Sequence, residues 1–63
     1  MYSPALRERV EVIGKHGPFL VVDLDGETER VNLISLSGSP YLEEEVPFAA
    51  LRPYKEDANL EAE

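Results

Sequence analysis

The sequence predicts an all-β fold, a small five-stranded and strongly bent barrel with one helical turn before its last strand. Three observations carry that prediction. Apolar and polar residues alternate with period two in several short runs, the mark of half-buried strands. Turn-forming clusters of Gly, Pro, Asp and Ser separate these runs at intervals of roughly 8 to 15 residues. No segment before the C-terminal tail carries the i, i+3, i+4, i+7 apolar stripe of a packed helix.

Residues 1–5 contain Pro4, lack periodicity and read as a lead-in to a domain over residues 6–54. The first strand falls within residues 6–14, where Val10 and Val12 alternate with Arg9 and Glu11. Two glycines and a proline in residues 14–18 then force a turn. The second strand spans residues 19–24, rich in β-branched and aromatic side chains. Leu20, Val22 and Leu24 share one of its faces; Phe19, Val21 and Asp23 share the other.

Asp25-Gly26 signals a hairpin, because both central positions of a type I′ turn need positive φ. Residues 28–36 resume a strand, with Val31 and Leu33 opposed to Arg30 and Asn32. At Ile34 the apolar phase flips, so Ile34 and Leu36 fall on the other side. That change predicts a bulge or bend in this third strand. Ser37-Gly38-Ser39-Pro40 makes the next turn, and residues 41–46 form a fourth strand interrupted by Glu43-Glu44-Glu45. Pro47 and Pro53 leave room between them for one helical turn, residues 48–51, and a short extended piece. Residues 55–63 read as a flexible acidic tail.

Charge and composition exclude more than they identify. Six Lys and Arg against thirteen Asp and Glu leave a net charge of −7. The tail holds Lys55 against Glu56, Asp57, Glu61 and Glu63, a net of −3, so the body is acidic without it. Such a balance disfavours a phosphate-backbone binder, whose affinity comes from clustered cations. With no cysteine there is no disulfide or cysteine-based zinc site to support a small core. No apolar run approaches the roughly 20 residues that cross a bilayer, and the N-terminus lacks the charged start and apolar stretch of a signal peptide. The expectation is a free-standing cytoplasmic domain that does not enter membranes.

The order strand, loop, strand, Asp-Gly hairpin, bent strand, turn, strand, helical turn and final strand resembles the SH3-like barrel, and within it the Tudor-like and KOW-like domains. Residues 9–14, 19–26, 30–36 and 46–53 carry the resemblance, the last of them looking like the 3-10 turn before the final strand. The resemblance is topological and implies a fold more than a function. Peptide-binding SH3 domains present a Trp that is missing here, and nucleic-acid-binding KOW domains are basic where this chain is acidic.

Catalysis is not expected. His16 is the single histidine and sits in a glycine-rich loop with no cysteine to join it. Its neighbourhood lacks the length and ending of a phosphate-binding loop. A barrel this small has little concavity in which to separate carboxyl pKa values. The run from Asp23 to Glu29 fails as a calcium loop: with Gly26 at position 6 the first residue is Val21 and the last Asn32. No metal or cofactor is implied.

Binding readings remain. An aromatic cage for an alkylated ammonium would draw on Phe19, Tyr41, Phe48 and Tyr54, against the plainer reading that these rings fill or cover the core. Glu43, Glu44 and Glu45 form either a solvated edge that resists aggregation or an acidic patch for a basic partner. If Leu20, Val22, Leu24, Val31 and Leu33 line the interior, then Phe19, Val21, Ile34 and Leu36 lie opposite, as a second bent face or as a patch awaiting a partner. The first reading is therefore a non-catalytic protein-interaction module. It would bind a protein or a second copy of itself, as a homodimer, through Phe19, Val21, Ile34, Leu36, Tyr41 and Tyr54. The alternative is an accessory domain that touches RNA or a transcription or translation complex through Arg7, Arg9, Lys15, Arg30 and Arg52.

Overall fold

In the computed structural model, which describes residues 2–54, five strands form one antiparallel sheet. They are β1 (Arg9–Val12), β2 (Phe19–Asp25), β3 (Arg30–Ser35), β4 (Leu42–Pro47) and β5 (Leu51–Pro53), with a 3-10 turn at Phe48–Ala50 leading into β5. The order across the sheet is β4-β3-β2-β1-β5. The segment expected as an acidic tail lies outside the described residues.

The strands and the turn before the last of them stand where the sequence places them; a closed barrel does not. β4 and β5 are the two ends of the ladder and do not pair. Both are poor partners. β5 has three residues, and Pro53 brings no N–H; β4 ends in Pro47 and is broken by a bulge. Phe48 is instead buried against the sheet, and its N–H donates to the Glu29 carbonyl at 2.9 Å, one rung beyond the Arg30–Pro47 pair of the β3–β4 ladder. The Ile13 N–H donates to Ala50 O at 2.9 Å and ties the end of β1 to the same turn.

One face of this sheet holds the core. Val10, Val12, Phe19, Val21, Val31, Leu33, Phe48 and Leu51 are buried, with Tyr2, Leu24 and Val46 packed against them. A single sheet with no second layer can bury eight apolar side chains only by curling around them.

That core reverses the expected sidedness of β2. Phe19 and Val21 are fully buried, while Leu20 and Val22 are half-buried on the outer face. The register shows why alternation misleads here. Val21 pairs with Leu33 and Asp23 with Asn32, so β2 carries one extra residue, Val22, and changes phase there. Beyond the bulge Leu24 returns inward opposite Val31. β3, in contrast, keeps its phase against β2: Val31, Leu33 and Ser35 point in, Asn32 and Ile34 out. The flip expected at Ile34 is thus an apolar residue on the outer face followed by a polar one in the core. Ser35 is tolerated inside because its hydroxyl donates to the Ser37 carbonyl at 3.2 Å and accepts the Ser37 N–H at 3.4 Å.

The hairpin between β2 and β3 is present, but it is not a two-residue type I′ turn. Residues 26–29 connect the strands, Gly26 has no positive φ, and Glu29 takes the left-handed conformation at φ 57°. Asp25 builds the turn from its side chain, its Oδ1 accepting the N–H groups of Glu27 at 3.0 Å and Thr28 at 3.3 Å.

Candidate interaction face

The outer face of the sheet is organised by register. Arg9 pairs with Leu20, Leu20 with Ile34, and Ile34 with Leu42, so a row with three adjacent aliphatic side chains crosses β2, β3 and β4. The row becomes more exposed toward the β4 edge, where Leu42 is 52% accessible. Beyond the end of β3, Leu36 donates its N–H to the Pro18 carbonyl at 2.9 Å and leaves its side chain 46% accessible. Tyr41, whose carbonyl accepts the N–H of the inward-facing Ser35, lies toward the core side instead: it is 47% accessible and edge-on to the buried Phe19 ring, with centroids 6.1 Å apart and planes at 89°.

Along the same face, toward the β2–β3 hairpin, the character changes to acidic. Asp23 pairs with Asn32 and Asp25 with Arg30, which sets all four on the side of Leu20 and Ile34. With Glu27 and Glu45 they line an open hollow of about 640 Å³. Four carboxylates and one guanidinium line it, together with Leu24 and Val31. Asn32 also pins the wall: its Oδ1 accepts the N–H of Glu45 at 3.0 Å.

Of the residues expected to bind, Phe19 and Val21 are interior and cannot meet a partner without unfolding. Ile34 and Tyr54 are half-buried; Leu36 and Tyr41 are accessible. Tyr54 sits beyond β5, its N–H donating to the Arg9 carbonyl at 3.5 Å. The aromatic cage does not assemble, since Phe19 and Phe48 both have their rings in the core. Nor do the three consecutive glutamates act together. Glu43, opposite Leu33, pairs with Lys15 at 3.1 Å; Glu44 and Glu45 are exposed, and Glu45 stands in the β4 bulge. The register adds Leu20 and Leu42 to the outer face, as neighbours of Ile34.

The cations proposed for RNA are partly engaged. Arg52 pairs with Glu11, and Lys15 with Glu43, each at 3.1 Å. The Glu43 carboxylate accepts from the Lys15 ammonium and raises its pKa. Among the described residues no group of His, Cys, Asp or Glu is placed to hold a metal ion, and no helix is long and apolar enough to cross a membrane. No protein-family model, curated protein or solved structure matches this chain.

Proposed function

We propose that this chain is a non-catalytic protein-interaction module of SH3-like type that docks partners on its outer sheet face. The strand order and the 3-10 turn before β5 support the SH3-like reading. One observation carries the functional reading: Leu20, Ile34 and Leu42 stand side by side across three strands, with the accessible Leu36 beyond the end of β3. A contiguous apolar surface on a sheet this small is a mark of association, whereas singly scattered exposed aliphatics are not. The RNA reading has less support, because at least two of its five proposed cations, Lys15 and Arg52, already have carboxylate partners.

Leu42→Asp tests the reading. The variant changes an accessible edge residue, so circular dichroism and the thermal midpoint should stay close to wild type. Light scattering over a concentration series and capture of partners at low and high salt are compared between the two chains. A partner or a mass increase that survives high salt and is lost in the variant supports the apolar face. Identical behaviour of both chains would remove it.

A further inference from the structure

We infer that the occupant of this face is a basic segment of another protein, an extended stretch in which an apolar side chain is followed two to four residues later by lysine or arginine. The inference rests on the interaction-module reading and adds the chemistry of the partner. It follows from what lies next to the apolar row. Asp23–Asn32 is the next outward-facing pair after Leu20–Ile34, and Asp25–Arg30 the one beyond it. At about 3.4 Å per residue these pairs lie roughly 7 Å and roughly 14 Å along β3 from Ile34. A strand laid along β3 with apolar side chains over Ile34 and Leu42 therefore carries its second and fourth following residues over the hollow.

The hollow specifies their charge. Asp23, Asp25, Glu27 and Glu45 line it with Arg30, a local net of −3 on a chain of net −7. A second copy of the chain brings the same sign of charge to the contact, and like charges set against each other disfavour it. The lysine or arginine of a basic segment meets carboxylates that are already in place, and its preceding aliphatic group removes Leu42 and Ile34 from water.

Fluorescence anisotropy with a labelled synthetic peptide tests this. The probe alternates leucine with serine in its first half and arginine with serine in its second. One control peptide replaces arginine with glutamate, and another replaces leucine with serine. The arginine–leucine probe should bind, weaken about tenfold in a variant carrying Asp23→Asn with Glu45→Gln, and weaken similarly with Leu42→Ser. Its affinity should also fall as salt rises. Equal binding of the glutamate peptide would overturn the basic partner and leave the apolar docking face standing. No peptide binding, with a chain dimer that Leu42→Ser dissociates, would replace the basic partner by a second copy. No binding and no dimer would remove both readings.

Discussion

Asn32 reaches from β3 to the neighbouring edge strand, where its side-chain oxygen accepts the backbone N–H of Glu45 at 3.0 Å. Glu45 needs that support. It has φ 54°, and it belongs to the bulge at which three steps along β4, Val46 to Glu43, oppose two along β3, Val31 to Leu33. A left-handed residue with a Cβ costs roughly 1–2 kcal/mol, and the bulge leaves its N–H outside the ladder. The side chain of Asn32 supplies the acceptor that the ladder omits.

Glycine at this position should therefore stabilise the domain. Glu45→Gly relieves the left-handed penalty but adds freedom to the unfolded chain, and the net expectation is a gain of about 0.5–1 kcal/mol. Urea unfolding followed by circular dichroism should show a higher midpoint with an unchanged slope. A lower midpoint would mean that the glutamate side chain holds the bulge. Asn32→Ala should move the midpoint the other way by about 1 kcal/mol, the usual net worth of one hydrogen bond.

The two sides of the sheet should respond unequally to truncation. Phe19 is fully buried, so Phe19→Ala should cost about 3–5 kcal/mol through lost transfer energy and a cavity. A chain of 63 residues has a total stability of only roughly 3–9 kcal/mol, so this variant should lose about half of it or more, with a large fall in its thermal midpoint. Leu42→Ala at the accessible edge should stay within about 0.5 kcal/mol of wild type. Thermal melts of the two variants separate the cases. Equal losses would contradict the sidedness of the sheet.

Gly17 joins two loops at close quarters. Its φ is 86°, and a Cβ placed on it would lie 2.9 Å from the Cβ of Ser37 and still nearer its hydroxyl. Gly17→Ala therefore combines backbone strain with a steric clash and should cost about 2 kcal/mol or more. Adding Ser37→Gly should recover the clash and leave the left-handed penalty, so the double variant falls between the single variant and wild type. Full recovery in a denaturant titration would show that strain contributes nothing.

How much of this was legible depended on whether a residue announced its own backbone. Glycines, prolines and alternating valines marked all five strands and the turn at Phe48–Ala50 close to where they lie. The bulges carry no glycine to announce them: the β2 bulge falls at Val22, which has no positive φ, and the left-handed residue of the β4 bulge is Glu45. A β-strand's sidedness depends on counting by two, so the unseen extra residue at Val22 blurred which side of β2 faced inward. Ser35 compounded the difficulty by being polar and buried, which made an outward-facing Ile34 look like a change of phase. The candidate face inherited these errors. Leu20 follows the alternation of an interior residue, and Leu42 is masked by the three glutamates beside it.

The N-terminal segment offers a test at alkaline pH. Tyr2 packs against the core, and its hydroxyl donates to Glu8 Oε2 at 2.6 Å, while Glu8 Oε1 accepts the Ala5 N–H at 2.8 Å. Burial, followed by the hydrogen bond to Glu8 and the charge of that carboxylate, raises the Tyr2 pKa well above its ordinary value. In the unfolded chain the phenol ionises near pH 10. Above that pH the folded state holds more protons than the unfolded one, so stability conferred by Tyr2 is complete below about pH 10 and declines as the pH climbs further. Tyr2→Phe has no proton to lose there. Its stability should be lower than wild type at neutral pH, by about 1 kcal/mol for the lost hydrogen bond, and the difference should shrink as the solution becomes strongly alkaline. Subtracting the tyrosinate absorbance curve of the variant from that of the wild type isolates Tyr2. A midpoint in that difference at the ordinary tyrosine value would show that the segment is not clasped by Glu8 in solution.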